Sequence, residues 1–220
     1  MRELLRKGSP KGVLGVSYKD SAEIVRNDDR PLIRNLDSLP FPARHLRQYS
    51  YKANNRKTEY DALLTSRGCY GRCTFCCEPA MSKGHFRYRS PENIVEEILE
   101  IARYHGGRRV SVVICDPNFM GIPSRVERLC DLLQPHELNM DFCALVRPDN
   151  IARHPKIVKK MCEAGILYFE MGIESPNIKD LESTKKGISS KVHREAVQNI
   201  RRNGGGAGGT FVIGLPDQTE

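Results

Sequence analysis

The period of the apolar positions changes in a regular way along most of the chain. "YDALLTS" (60–66) is a short apolar strand. Ser90, Pro91 and Glu92 then open a helix with a capping hydroxyl, a proline at the first helical position and an acid in the first turn. Ile94, Val95, Ile98, Ile101 and Ala102 continue it at helical spacing. "RVSVVIC" (109–115) is a β-branched run of the kind that a strand buried on both faces requires. A helix on Val126, Leu129, Cys130 and Leu133 leads to the strand "MDFCALV" (140–146). A helix on Ile157, Val158, Met161 and Cys162, stopped by Gly165, leads to "ILYFEMGIE" (166–174). A last helix on Val192, Ala196, Val197 and Ile200 precedes the strand "GTFVIG" (209–214). Such alternation predicts an α/β fold of βαβ units, with right-handed crossovers and a parallel sheet.

Upstream the pattern differs. "VLGVSYKDSAEIVRN" (13–27) alternates apolar and polar residues on either side of Lys19-Asp20-Ser21, which predicts a short β-hairpin. Pro40 and Pro42 force an extended path, so residues 30–59 read as a connector. The expected division is an arm over 1–59, the tail of an upstream domain, and a core over 60–220. Five βα units leave an open edge or an incomplete barrel. The chain stops at "LPDQTE", where another helix should begin, so a fragment of a longer protein is expected.

Composition narrows the class. With 39% hydrophobic and 28% charged residues, the 220-residue chain is ordinary for a globular domain. No apolar run approaches the roughly 20 residues that a membrane-spanning helix needs, and "MRELLRKGSP" lacks a secretory signal. A cytoplasmic setting with reduced thiols is expected. The net charge of +8 is uneven: residues 1–60 hold 13 Lys and Arg against 7 Asp and Glu, and the rest 22 against 20. A solvated basic linker accounts for this better than a nucleic-acid contact.

Four of the eight cysteines fall within "SRGCYGRCTFCCEP" (66–79). Cys69, Cys73 and Cys76 form C-x3-C-x2-C directly after a strand. Three thiolates on one loop can hold three corners of a [4Fe–4S] cube and leave the fourth iron open, whereas ferredoxin-type clusters close every iron. Zinc is the rival, with His85 or Cys77 as fourth ligand. Structural zinc usually pairs two separated knuckles, and a knuckle has no need of five βα units. Cys77 reads as a small buried thiol, and Cys115, Cys130, Cys143 and Cys162 as core residues of strands and helices. "GGGAGG" (204–209) reads as a mobile helix-to-strand loop, because no Gly-Lys-Ser/Thr follows it.

The cysteine stretch, with Phe75 just before the third cysteine, resembles the signature of radical S-adenosylmethionine (SAM) enzymes. The resemblance continues through "RYRSPENIVEEI", "ICDPNF", "VRPDNI", "MGIES" and "FVIGLPDQTE", over roughly residues 60–220. Residues 15–46 resemble the segment that joins a cobalamin-binding domain to the barrel in B12-dependent members, although no cobalamin-binding Asp-x-His-x-x-Gly is present. The resemblance implies a partial (β/α)6 TIM-like barrel, a [4Fe–4S] cluster on Cys69, Cys73 and Cys76, and SAM on the open iron. It also implies reductive cleavage of SAM to a 5′-deoxyadenosyl radical in a methyltransferase or cyclase. A reductant protein such as flavodoxin or ferredoxin, a small-molecule substrate and cobalamin held by a domain outside the chain follow from it.

By the same resemblance Phe75 lies beside the adenine. Asp116 stands in for the Gly-Gly-Glu that holds the SAM amino group, and Arg147 pairs with the SAM carboxylate. Glu174 and Ser175 take the ribose, and Gly214 lets backbone approach the adenine. Two other readings compete. A tRNA methylthiotransferase would carry a second cysteine triplet upstream, and residues 1–59 contain no cysteine. A zinc-stabilised nucleic-acid-binding module would use the basic arm.

Overall fold

The computed structural model describes residues 2–49, 58–215 and 218. They fall into two compact units, Met1–Arg34 and Asn35–Glu220. In the first, α1 (Arg2–Lys7) precedes an antiparallel hairpin of β1 (Ser17–Asp20) and β2 (Glu23–Arg26), with Asp20 opposite Glu23. The expected turn holds, and Ser21 takes a left-handed φ of 53° in it.

In the second unit, residues 35–49 are not simply extended. Single 3-10 turns at Leu36–Ser38 and Arg44–Leu46 flank the two prolines. Arg44 sits in the interior, and Asp37 accepts a hydrogen bond from Ser90 N at 2.9 Å. This segment, which the sequence assigns to the arm, therefore groups with the α/β body.

Five parallel strands form the main sheet, in the order in which they occur along the chain. They are β3 (Glu59–Leu63), β6 (Val110–Ile114), β7 (Met140–Val146), β8 (Ile166–Glu174) and β9 (Gly206–Phe211). Between β3 and β6, the two-residue strands β4 (Ser66–Arg67) and β5 (Arg87–Tyr88) pair antiparallel and close the neck of a long loop. Helices α3 (Pro91–Tyr104), α4 (Pro123–Leu133), α6 (Pro155–Glu163) and α8 (Ser190–Arg202) cover one sheet face. Ser90 caps α3 as expected, accepting from Asn93 N at 3.2 Å. Ile94, Ile98 and Ile101 of α3 pack with Val110, Val112, Phe142 and Phe169, and each such side chain contributes about 1.5–3 kcal/mol by leaving water.

The burial of β6 alternates, so the strand is not covered on both faces as expected. Its second face looks into the lumen of the partial barrel, a cavity of about 730 Å³ lined by Tyr60, Ser111, Val113, Cys143, Tyr168 and Glu170. Cys143 is accordingly half-buried; Cys115, just beyond β6, is exposed, while Cys130 and Cys162 occupy the expected core positions. "GGGAGG" is also different from its reading as a loop, because β9 begins at Gly206. Gly208 lies opposite Glu170, and a Cβ there would meet the Glu170 carboxylate at 2.5 Å. The missing side chains make room for those of β8. Short helices α2 (Glu78–Met81), α5 (Pro148–Arg153) and α7 (Ile178–Ser183) escaped the periodicity reading, being too short to show one. No helix among the described residues is long and apolar enough to cross a membrane.

Candidate functional site

The β4–β5 neck makes residues 68–86 a closed excursion at the C-terminal end of β3, where parallel α/β sheets gather functional groups. Cys69 and Cys73 are half-buried, Cys76 and Cys77 exposed, and all four thiols are free. Cys77 is thus the exposed N-cap of α2 and not a buried thiol. Gly71 N donates to Cys69 Sγ at 3.3 Å, and Cys76 N to Cys73 O at 3.2 Å, which curls the loop around its sulfurs. A Cβ on Gly71 would lie 3.3 Å from Cys69 Sγ, 3.8 Å from Cys73 Sγ and 2.9 Å from Arg147 Nη1. Burial pushes the Cys69 thiol up, opposed by the Gly71 N–H and the Arg147 charge.

Arg147 follows β7 and is the N-cap residue of α5. Its Nε donates to Asp149 at 3.0 Å and its Nη2 to Lys186 O at 3.1 Å, and its Nη1 lies 4.0 Å from Cys73 Sγ. Burial works against its charge, and the Asp149 carboxylate outweighs that. Tyr70, in the cysteine loop, stacks 5.9 Å from the guanidinium and exchanges hydrogen bonds with Asn150. The loop is tied down from another side by Thr74, whose N and Oγ1 donate to Thr184 O and Ser183 O at 3.0 and 3.1 Å.

Glu174 ends β8 with a left-handed φ of 65°, next to a register shift against β9. Its Oε1 accepts from Lys186 Nζ at 2.6 Å. Ser175 turns its hydroxyl to Asp180 at 2.7 Å. Asp116 is fully buried at the end of β6, where it accepts from Thr65 N and Ser66 Oγ at 2.6 Å each and from Thr65 Oγ1. Arg125 adds charge at 3.8 Å. Phe75 is 43% exposed, beside the third cysteine. Gly214 has a φ of 89° and donates to Gln218 Oε1 at 2.7 Å, with open space where a Cβ would be. His85 is exposed and bonded locally to Lys83 O.

The structure thus gathers Cys69, Cys73 and Arg147, and links Glu174 to them through Lys186. Lys186 and Tyr70 went unnoticed in the sequence. Tyr70 lies inside the quoted motif, but nothing in "TKKG" marks Lys186. As for what the thiols could hold, no three His, Cys, Asp or Glu side chains among the described residues converge as a single-ion site requires. A cube takes one thiolate per iron, so its ligands need not converge. Three free thiols on one loop, a cradle that a Cβ at 71 would fill and a neighbouring guanidinium suit such an anionic cluster.

Residues 63–220, well over half of the chain, match the Radical SAM superfamily. An uncharacterized methyltransferase of Pyrococcus horikoshii is 32% identical over 219 residues, 99% of this chain and 46% of that protein. An anaerobic magnesium-protoporphyrin IX monomethyl ester cyclase of Synechocystis sp. is 24% identical over 191 residues, 86% of this chain and 37% of the cyclase. The chain spans less than half the length of either relative. Among solved structures, the cobalamin-dependent S-adenosylmethionine radical enzyme OxsB, with aqua-cobalamin and SAM bound, has a similar fold. The TM-score is 0.76 at 22% identity, over 96% of this chain and 31% of OxsB. Cysteine spacing, parallel half-barrel and sequence match agree, and the chain belongs to the radical SAM superfamily.

Proposed function

We propose that this chain is the radical-generating part of an enzyme that cleaves SAM reductively in the service of a methylation or a cyclisation. The observation that carries this reading is the loop of free thiols, Cys69, Cys73 and Cys76, held beside Arg147 at the C-terminal ends of the strands. A relative named as a methyltransferase and one named as a cyclase support the reaction class. The OxsB likeness supports a cobalamin-using reaction, with the cobalamin held by a domain outside these 220 residues. Family membership favours the cluster over the zinc-stabilised module.

Cys69, Cys73 and Cys76 would hold a [4Fe–4S] cluster as thiolates, one iron each. When bound, that cluster supplies the single electron that splits SAM into methionine and a 5′-deoxyadenosyl radical. Arg147 lends positive charge next to two of the thiolates, and its Nη1 is the arm left to receive the SAM carboxylate. Glu174 offers Oε2 to the ribose hydroxyls, its Oε1 being held by Lys186. Ser175 supports that position through Asp180. Asp116 holds the root of the cysteine loop through Thr65 and Ser66, a positioning role in place of direct contact with the amino group. Phe75 and the backbone at Gly214 remain the adenine contacts. A small-molecule substrate and a flavodoxin or ferredoxin as electron source complete the reading.

Anaerobic reconstitution with iron and sulfide, followed by reduction with SAM, tests it. The expected result is a [4Fe–4S] electron spin resonance signal that SAM perturbs, with 5′-deoxyadenosine formed by the native chain and not by Cys73→Ala. Stoichiometric zinc without iron would overturn the reading.

A further inference from the structure

Lys186 lies in the loop between α7 and α8, yet its side chain is only 7% exposed, and that of its partner Glu174 is 6% exposed. Its ammonium donates to Glu174 Oε1 at 2.6 Å and to Gly172 O at 2.7 Å. Its backbone carbonyl accepts from Arg147 Nη2 at 3.1 Å. One residue therefore touches both the carboxylate at the end of β8 and the arginine beside Cys73. The backbone is strained at each end of the contact: Glu174 has φ 65° and Lys185 has φ 50°. Such conformations persist only where surrounding contacts over-determine them, and they cluster at binding sites. Gly172 completes the arrangement, since a Cβ there would lie 2.2 Å from Glu174 Oε1 and 2.4 Å from Lys186 Nζ.

We propose that Lys186 is a positioning residue that sets the specificity of the sugar contact: by occupying Oε1, it leaves Glu174 a single oxygen, fixed in direction, for the hydroxyls of a ribonucleoside ligand. A free carboxylate rotates and accepts from whatever donor arrives. One whose Oε1 is locked by a buried ammonium presents Oε2 along one line, so a ligand lacking the matching hydroxyl leaves that oxygen unpaired at a cost. The link through Arg147 ties this orientation to the cysteine loop. The inference rests on the reading of Glu174 as the ribose contact.

The test is equilibrium binding of SAM and of its 2′-deoxy and 3′-deoxy analogues to the anaerobically reconstituted chain. Four proteins are compared: native, Lys186→Met, Lys186→Arg and Gly172→Ala. The native chain should prefer SAM over at least one deoxy analogue by about tenfold or more, the size of one hydrogen bond to a charged group. Lys186→Met should lose most of that discrimination, and Lys186→Arg should restore part of it. Gly172→Ala keeps both charges but drives a methyl group between them, so it should behave like Lys186→Met. It also decides the question if Lys186→Met does not fold. Unchanged discrimination in the folded variants overturns the role of Lys186. A native chain that binds SAM without discriminating overturns the ribose contact of Glu174, and a native chain that binds no SAM overturns the functional reading itself.

Discussion

Arg44 Nη2 and Glu97 Oε1 meet at 2.6 Å with side chains 1% and 2% exposed, which joins the Pro-containing segment to the middle of α3. The same guanidinium donates to Asp61 on β3 at 3.2 Å and to Ala62 O at 3.1 Å. Arg89, between β5 and α3, takes the other oxygen of Glu97. Arg47 and His105 reach Asp61 at 2.6 and 3.0 Å. These charges are paired away from water, where a lost partner costs far more than at the surface.

Arg44→Ala should destabilise the chain by about 3–5 kcal/mol, since it leaves buried carboxylates short of a partner. Urea unfolding followed by circular dichroism reads this directly. Arg128→Ala serves as the control, because its pair with Glu92 at 3.3 Å is exposed on both sides and contributes at most about 1 kcal/mol.

Acid should loosen the same region. Burial alone would raise the Asp61 carboxyl, but the bonds from Arg47, His105 and the Ala62 N–H, with the Arg44 charge, bring it down to about 2. Its folded value lies below an unfolded value of about 3.9. Its contribution, about 2 kcal/mol, is therefore complete above that unfolded value and is lost as pH falls towards 2. Unfolding free energies measured from pH 6 down to 2 should fall less steeply for Asp61→Asn, which starts lower, than for the native chain.

The cradle at Gly71 predicts a loading defect without a folding defect. Gly71→Val would push branched carbons towards Cys69 Sγ, Cys73 Sγ and Arg147 Nη1. Iron bound per chain after reconstitution should drop several-fold, with the far-ultraviolet spectrum unchanged. Full iron loading would show that the loop adapts to the side chain.

Thiol reactivity should sort by place in the fold. Exposed Cys76 and Cys77 should alkylate rapidly in the reduced, metal-free chain at pH 8. Cys130, whose thiol burial pushes up to about 12, should react only on unfolding. Pulsed alkylation with peptide mass spectrometry distinguishes the two classes.

Much of this protein is legible in its sequence. Strands β7 and β8 run over the residues that their apolar pattern indicates, because each is long enough for a period to show. The cysteine loop declared itself through spacing, which is a local property. The structure departs from the sequence pattern where the second face of an element is decided at a distance. Val113 and Cys143 look like core residues in sequence, yet they line an open lumen, and Cys115 is exposed beyond the end of its strand. The glycines of β9 look like a loop until the side chains of β8 are seen to occupy their space.

By itself, the sequence determined the order of strands and helices, the cap of α3 and the thiols available for a cluster. Each depends on residues a few positions apart. Only the tertiary structure decided partners: Glu97 for Arg44, 53 residues away; Thr65 and Ser66 for Asp116; and Lys186 for Glu174. A charged side chain carries no local mark of its partner. The pairing is set by which chain segments the packed sheet and helices bring within about 3 Å of one another once water is excluded, where an unpaired charge is costly.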